Sequence, residues 1–202
     1  MAISMPQDFE HALASMLQGE SVVIDGRPGT GKSALLRTFM EANDALPDSL
    51  RKRVLPVSLL ELAANGISGL TINSAFHFNP FIMVGDVLPS GTWDIDGAAP
   101  LLSTVDVLII DDAHIVSSEL LLMMNVALQR VRKNNEPFGG VQLIAAGELA
   151  GSDSPLGSMV QEPEPDPERY VFLSFDGASF NVSYHVVRVH AVVVERGQIV
   201  AD

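Results

Sequence analysis

The chain has 202 residues, 47% of them hydrophobic, and its twelve Lys and Arg against 25 Asp and Glu give a net charge of −13. That balance disfavours a protein that holds a polyanion unaided, because neutralising phosphates takes basic side chains. The absence of cysteine excludes disulfide frameworks and thiolate metal sites. No apolar run reaches the roughly 18 residues of a membrane helix, and the N-terminus lacks the pattern of a signal peptide. The sequence therefore predicts a soluble intracellular protein, nuclear or cytoplasmic, without membrane contact.

The first part of the chain predicts a helix, a strand, a turn and a second helix. Apolar residues recur at helical spacing over residues 7–18, and Gly19 ends that helix. Ser21 to Asp25 is a short, β-branched strand. Gly26 to Ser33 is a glycine-rich turn, and Ala34 to Glu41 begins the second helix.

The middle of the chain is less regular. Residues 54–60 predict a second strand, although Pro56 weakens it. A helix is predicted to start near residues 71–74. Residues 82–100 are rich in Gly, Pro and Asp, which predicts a loop.

Strand and helix alternate again further on. Val105 to Ile110 is continuously apolar, as expected of a strand covered on both faces. Ser117 and its neighbours predict the start of a helix over residues 119–132, and Val141 to Ala146 predicts another buried strand. This alternation predicts an α/β domain with a mostly parallel sheet.

The predicted organisation has three parts. Residues 1–150 form the α/β domain, and residues 151–169 are acidic and proline-rich, as in a linker or loop. Residues 170–174 and 186–194 return to β-type sequence, and residues 170–202 are predicted to be a β-rich extension of the same domain.

The turn after the first strand fits the phosphate-binding pattern G-x-x-x-x-G-K-[ST]. Its glycines allow backbone N–H groups to face phosphate oxygens, and the following helix N-terminus favours an anion. Lys32 would neutralise the β- and γ-phosphates as a catalytic group, and Ser33 would hold Mg²⁺. The predicted contacts to ATP are Gly26, Gly29, Thr30, Gly31, Lys32 and Ser33.

An acidic pair follows the apolar strand. Asp111 would hold Mg²⁺ through water, and Asp112 would orient the attacking water as a catalytic residue. The competing interpretation of this pair is a helix cap or a solvated loop. His77 and His114 lack the spacing of a metal site and are interpreted as packing or surface residues.

Several stretches together resemble the Pif-type DNA helicases of superfamily one. They are GESVVIDGRPGTGKSALLRTF, NGISGLTINSAFHF, VDVLIIDDAHIVSSELLLMMNVALQRVRKNNEPFGGVQLIAAGE, ERYVFLS and YHVVRV. The run NNEPFGGVQLI is the most specific and disfavours an unrelated P-loop regulator. The resemblance implies the first RecA-like domain of such a helicase, a P-loop sheet flanked by helices. ATP would bind in a cleft against a second RecA-like domain, single-stranded DNA would cross both, and the setting would be DNA repair and recombination.

The chain also departs from the pattern of that family. Phe9 stands where the family has a glutamine that reads adenine, and Gln7 lies two residues away; Gly151 stands where the family has a glutamine that senses the γ-phosphate. Leu60–Glu61 replaces a Thr-Gly pair that contacts DNA, Asn73 replaces a histidine, and Asp112 replaces a glutamate. Val194 replaces an arginine, with Arg196 two residues later. The phosphate-holding residues are kept, whereas positions for hydrolysis and DNA contact are not. The resemblance therefore implies a truncated or diverged ATP-binding domain of an ATP-dependent DNA helicase, ending at Asp202 and weak in hydrolysis by itself.

The alternative is a nucleotide-binding interaction module without helicase activity, which a protein partner would complete. Binding to single-stranded DNA is expected to be weak, because the dense basic groups are few. They are Arg51–Lys52–Arg53 and Arg130–Arg132–Lys133. The second group ends a helix, where solvated capping by cations is expected in any case.

Overall fold

Parallel strands form the centre of the molecule, and helices cover both faces of the sheet. The structure is a computed structural model that describes residues 7–149, 169–175, 178–188, 192–195 and 198–201, with the backbone alone described at residues 7, 8, 62, 63 and 65 and beyond residue 168. The helices are α1 (Gln7–Gln18), α2 (Lys32–Asp44), α3 (Glu61–Gly66), α4 (Ile72–Phe76), α5 (Val84–Val87), α6 (Ile95–Leu102) and α7 (Ser118–Arg132). The strands are β1 (Val22–Asp25), β2 (Val54–Ser58), β3 (Leu70–Thr71), β4 (Val107–Asp111), β5 (Gln142–Gly147), β6 (Arg169–Phe175), β7 (Ala178–Arg188), β8 (Val192–Glu195) and β9 (Gln198–Ala201).

The order of the strands places β1 and β4 near the centre of the sheet. The described order is β3-β2-β4-β5-β1-β7-β6, with every pair from β3 to β7 parallel and β6 antiparallel to β7. The strands β8 and β9 form a separate antiparallel pair. Because parallel strands all end at the same edge of a sheet, the segments after β1, β2, β4 and β5 lie together at the carboxyl edge.

Each face of the sheet has its own hydrophobic core. Side chains alternate between the faces along each strand: Ile109 packs on the face of α1 and α2, and Ile110 on the face of α4, α6 and α7. Burial on both faces explains the continuously apolar strands that the sequence shows.

Most predicted elements of the first 149 residues are confirmed, with shifted boundaries. The helix after the glycine-rich turn begins at Lys32 and not at Ala34. The strand β4 begins at Val107 and reaches Asp111, so the first acidic residue ends the strand. Ser117 caps α7 as predicted, since its hydroxyl accepts a hydrogen bond from the amide of Leu120.

The prediction of a loop over residues 82–100 is wrong, since α5 and α6 lie within it. Asp94 caps α6 by accepting a hydrogen bond from the amide of Gly97 at 3.0 Å. Trp93 is buried, and its Nε1 donates to the carbonyl of Phe76 at 2.8 Å. Apolar burial and capping therefore outweigh the Gly and Pro content in this segment.

Of the two stretches predicted to be of β type, residues 170–174 lie in β6, and residues 186–188 and 192–194 lie in β7 and β8. Residues 189–191 lie outside the described residues. The predicted linker at residues 151–169 falls almost entirely outside the described residues. The division into domain, linker and extension stays a prediction.

Among the described helices, none has both the length and the apolar character that crossing a bilayer requires.

Candidate nucleotide site

The turn between β1 and α2 is built on left-handed glycines. Gly29 and Gly31 have φ of 82° and 89°, a conformation that costs glycine little and other residues more. The hydroxyl and amide of Thr30 both donate to the carbonyl of Arg27, at 2.8 and 3.3 Å, which closes the turn. The amide of Leu35 then donates to Gly31 as α2 begins. The glycines thus let the chain enter a helix directly from a strand end.

Lys32 lies back across this turn. Its Nζ donates to the carbonyls of Gly26 at 2.7 Å and Arg27 at 2.9 Å. Partial burial lowers the pKa of Lys32, and the nearby carboxylates, Asp111 first and then Asp112, oppose that shift. The site therefore holds a partly desolvated ammonium against carbonyl groups, which are weaker partners for it than an anion.

Asp111 joins the strand β4 to the start of α2. Its Oδ2 accepts a hydrogen bond from the Ser33 hydroxyl at 3.0 Å, and its Oδ1 accepts from the amide of Asp112 at 3.0 Å. Asp111 is 4% exposed, and burial raises the pKa of its carboxyl group, against the hydrogen bond from Ser33. The structure thus brings the two predicted metal-holding residues into direct contact, although they are 78 positions apart.

Asp112 adopts a left-handed conformation, with φ 53° and ψ 39°, immediately before a 3₁₀ turn over Ala113–Ile115. This conformation is uncommon outside glycine, and short polar side chains such as Asp tolerate it best. The backbone therefore turns sharply after Asp111, and Asp112 is half-buried at the carboxyl edge beside it.

The ends of β1 and β5 are tied together at this edge. The amide of Gly26 donates to the carbonyl of Gly147 at 3.1 Å. The amide of Leu149 donates to Oδ1 of Asp25 at 2.8 Å, and Asp25 is 4% exposed. Sequence reasoning missed Asp25, although a carboxylate directly before the first glycine of the pattern was a visible signal. This side chain fixes the segment after β5 to the strand that leads into the turn.

The groups at the turn and acidic pair are those that Mg²⁺ and phosphates use in proteins. Mg²⁺ binds through one or two protein oxygens together with phosphate oxygens and water, and the described residues hold no group of three or more His, Asp and Glu that would form a protein-only cage. The pair Ser33–Asp111 supplies a hydroxyl and a carboxylate, which are oxygen ligands of the kind that Mg²⁺ takes.

Comparison with known proteins adds to this geometry. A family model described as PIF1-like helicase matches residues 8–151. The chain belongs to the PIF1-like helicase family. Its sheet, helices and phosphate-type turn form the RecA-like fold that Pif1 structures share, as the sequence predicted.

The relatives are far longer proteins. The ATP-dependent DNA helicase PIF1 of Candida albicans is 34% identical over 73% of this chain and 16% of its own length. That of Emericella nidulans is 29% identical over 96% of this chain and 25% of its own length. The chain thus spans a quarter or less of the length of these two relatives.

Solved Pif1 structures share the fold. The crystal structure of the Candida albicans Pif1 helicase aligns with a TM-score of 0.57 at 32% identity, over 72% of this chain and 33% of that chain. The Bacteroides Pif1 helicase in complex with ADP-AlF3 and ssDNA aligns with a TM-score of 0.65 at 22% identity, over 93% of this chain and 42% of that chain.

The positions that depart from the Pif1-like pattern are spread through the structure. Phe9 is fully buried in the core beneath α1. Leu60 is 55% exposed, directly before Glu61 at the start of α3. Asn73 lies in α4. Gly151 and Arg196 lie outside the described residues, and only the backbone of Val194 is described.

The two histidines have different surroundings. His77 is half-exposed, with Nδ1 3.4 Å from Oδ2 of Asp94. His114 follows the acidic pair, and its Nδ1 is buried beside Gly147.

The sequence predicted that the basic group at the end of α7 is a solvated cap, but two of its arginines bond to the protein. The Arg130 guanidinium donates to the carbonyls of Val87 and Leu88 at 2.6 and 3.0 Å and lies 5.5 Å from the ring centre of Trp93. The Arg132 guanidinium donates to three carbonyls, those of Gly139, Ser103 and Val105. Both arginines hold neighbouring loops against the end of the helix.

Proposed function

We propose that this chain is the ATP-binding domain of a Pif1-like ATP-dependent DNA helicase, and that residues 26–33 hold the phosphates of the nucleotide. The observation that carries the proposal is the 3.0 Å hydrogen bond between Ser33 and Asp111, next to the half-buried ammonium of Lys32. The names and complexes of relatives, ATP-dependent helicases and an ADP-AlF3 complex among them, support the choice of nucleotide.

The phosphate contacts follow from the turn. Lys32 would leave the carbonyls of Gly26 and Arg27 for the β- and γ-phosphates, because an anion is the stronger partner for an ammonium. The left-handed glycines and the start of α2 would supply backbone donors. The residues proposed to contact the phosphates are Gly26, Gly29, Thr30, Gly31, Lys32 and Ser33.

The proposed Mg²⁺ position is beside Ser33 and Asp111, with the hydroxyl as a direct ligand and the carboxylate holding a metal-bound water. Bound there, Mg²⁺ would offset the charge of the β- and γ-phosphates. Asp111 would keep its place through the amide of Asp112, which already donates to its other oxygen.

We propose that hydrolysis is weak. Asp112 would orient the attacking water, but its carboxylate is one methylene shorter than the glutamate of the family pattern. Removing or displacing one preorganised catalytic group commonly costs about 10²–10³ in rate. A turnover below about 1 per second, under the common range for enzymes, is therefore expected.

Binding of single-stranded DNA by this chain alone is proposed to be weak, although a Bacteroides Pif1 relative was crystallised with it. Of the two dense basic groups, Lys52 is bonded to Gln142 and Arg51 to Leu46 and Asp48, while Arg130 and Arg132 hold loop carbonyls. We expect a dissociation constant above about 10⁻⁵ M at physiological salt, within the usual non-specific range.

The proposed organisation is a nucleotide-binding domain over residues 1–150, a linker over 151–169 and an extension over 170–202. The pairing of β7 beside β1 supports the view that the extension belongs to the same domain. Strand separation would need further contacts, from another domain or a protein partner.

The alternative is an interaction module in which the nucleotide orders the fold and partners bind outside it. The acidic Glu61 at the position of the family's DNA contact favours it. Calorimetry with Mg²⁺-ADP, followed by ATPase assays with and without single-stranded DNA, separates the two. Binding with slow, DNA-stimulated turnover supports the helicase domain, and binding with no turnover under either condition supports the module. Absence of nucleotide binding would contradict both.

A further inference from the structure

Two buried side-chain polar atoms in the described part of the chain have no hydrogen-bond partner, the hydroxyl of Ser58 and Nδ1 of His114. Both lie at the carboxyl edge, on either side of the acidic pair along the chain: Ser58 ends β2, and His114 follows β4. Because buried polar groups are nearly always bonded in folded proteins, an unpaired one calls for an explanation, and an absent ligand is one of the common ones.

Ser58 is the better placed of the two. It is 0% exposed and is the register partner of Asp111 on the neighbouring parallel strand. Residues in register on adjacent parallel strands project to the same face, about 4.8 Å apart. For these two residues it is the face of α2, since Ile109 packs there and Asp111 bonds to Ser33 on α2. His114 lies instead against Gly147.

The existing hydrogen bonds of Asp111 leave Ser58 out. One carboxylate oxygen accepts from the Ser33 hydroxyl and the other from the Asp112 amide. Hence Ser58 makes no hydrogen bond to Asp111, and its hydroxyl is available for a group that lies between the strand ends and α2.

We propose that the Ser58 hydroxyl is a positioning group of the Mg²⁺ site that bonds a metal-bound water alongside Asp111. The inference rests on the proposed function. A metal-bound water has two protons, and Asp111 would accept one of them. The Ser58 oxygen accepts the other, which satisfies a group that the folded protein leaves unpaired. Outer-sphere partners of this kind orient the metal's ligands and contribute to its affinity.

The test measures ADP affinity by calorimetry in excess Mg²⁺ and in EDTA, together with thermal unfolding without nucleotide. The gain from Mg²⁺ is the ratio of ADP affinity in Mg²⁺ to that in EDTA. For Ser58→Ala, we expect this ratio to fall about tenfold, the lower end for loss of an outer-sphere partner. Affinity in EDTA should stay the same, and the melting temperature should not fall, because the removed hydroxyl has no partner in the free protein.

Ser21→Ala is the matched control. The Ser21 hydroxyl accepts a hydrogen bond from the amide of Leu143 at 3.0 Å, at the opposite edge of the sheet. That variant should lower the melting temperature and leave the gain from Mg²⁺ unchanged.

An equal gain from Mg²⁺ in Ser58→Ala and the unaltered chain would overturn the inference and leave the proposed function standing. A lower melting temperature for Ser58→Ala with an unchanged gain would show a purely structural serine. If the unaltered chain gains nothing from Mg²⁺, the proposed metal site and the inference fail together.

Discussion

The two edges of the sheet use buried polar groups in opposite ways. At the amino edge, Nε2 of Gln142 donates to the carbonyls of Met16 and Glu20 at 2.8 and 2.7 Å, and its Oε1 accepts from Nζ of Lys52 at 2.8 Å. Asn43 exchanges two hydrogen bonds with the backbone of Lys52. Each of these groups is paired within the protein, and the network ties α1, α2 and β5 together.

At the carboxyl edge, some buried polar groups lack a hydrogen-bond partner or have a weak one. Ser58 has no partner, Lys32 rests on carbonyls, and burial raises the pKa of Asp111 and lowers that of Lys32. In open α/β sheets ligands bind outside the carboxyl ends of the strands. We therefore expect the amino-edge network of Gln142, Asn43 and Lys52 to serve stability. At the carboxyl edge, Asp25 also serves the fold, whereas Lys32, Ser58 and Asp111 are the groups proposed to meet a ligand. The following variants test that division.

The largest expected effect is that of Lys32→Ala on nucleotide binding. Hydrogen bonds to charged groups contribute about 1.5–3 kcal/mol, so Mg²⁺-ADP affinity should fall about 100-fold. We expect little change in stability, since the burial that lowers the pKa of Lys32 opposes what its hydrogen bonds to the carbonyls of Gly26 and Arg27 contribute. Calorimetry and urea unfolding measure both.

Lys52→Ala is the control for that variant, because burial also lowers the pKa of Lys52, at the amino edge. It should leave nucleotide affinity unchanged. Equal loss of affinity in the two variants would erase the proposed distinction between the edges.

Gln142→Leu should show the converse behaviour. It removes the hydrogen bonds that Gln142 makes to the carbonyls of Met16 and Glu20 and to the amine of Lys52, and losing a buried hydrogen-bond partner costs about 1–3 kcal/mol. We expect the free energy of unfolding in urea to fall by about 2 kcal/mol, with unchanged affinity for Mg²⁺-ADP. A stable variant that had lost nucleotide binding would contradict this assignment.

Asp112→Glu should raise the ATPase rate. The longer side chain restores the reach that the family pattern has, and a misplacement of about 1 Å can cost about 100-fold. Because other departures such as Gly151 remain, the expected gain is about tenfold, with unchanged ADP affinity. Steady-state ATPase assays are the measurement. A rate that stays the same or falls would show that Asp112 does not limit hydrolysis.

The smallest effect is that of pH on the gain in affinity from Mg²⁺. The proposed metal binding would need ionised Asp111, and burial raises the pKa of that carboxyl group. The gain should therefore be complete above that raised pKa and decline as pH falls through it, at higher pH than for an exposed aspartate. Calorimetry across an acidic pH series shows this, and Asp111→Asn should abolish the dependence.

The same shift has the opposite sign for the stability of the free protein. The unfolded carboxyl group loses its proton at lower pH than the folded one, so ionised Asp111 destabilises the fold above its raised pKa. That destabilisation declines as pH falls through the raised pKa and is gone below the ordinary pKa that the carboxyl group has in the unfolded chain.

The sequence predicted the site where local pattern and chemistry coincide. The spacing of Gly26, Lys32 and Ser33 and the acidic end of an apolar strand indicated the turn and its partner, and the structure places Ser33 on Asp111. It did not predict α5 and α6, because their burial depends on long-range packing around Trp93. Nor did it reveal Ser58, whose proposed role rests on its register with Asp111 on the neighbouring strand.

The most direct test is the stabilisation that Mg²⁺-ADP gives to the unaltered chain, Lys32→Ala and Gln142→Leu, measured as the free energy of unfolding in urea with and without ligand. At a ligand concentration 100 times the dissociation constant, the unaltered chain should gain about 2.7 kcal/mol. Gln142→Leu should start lower and gain the same amount, whereas Lys32→Ala should start close to the unaltered chain and gain much less. Equal stabilisation of all three, or a loss of stabilisation in Gln142→Leu alone, would contradict the account.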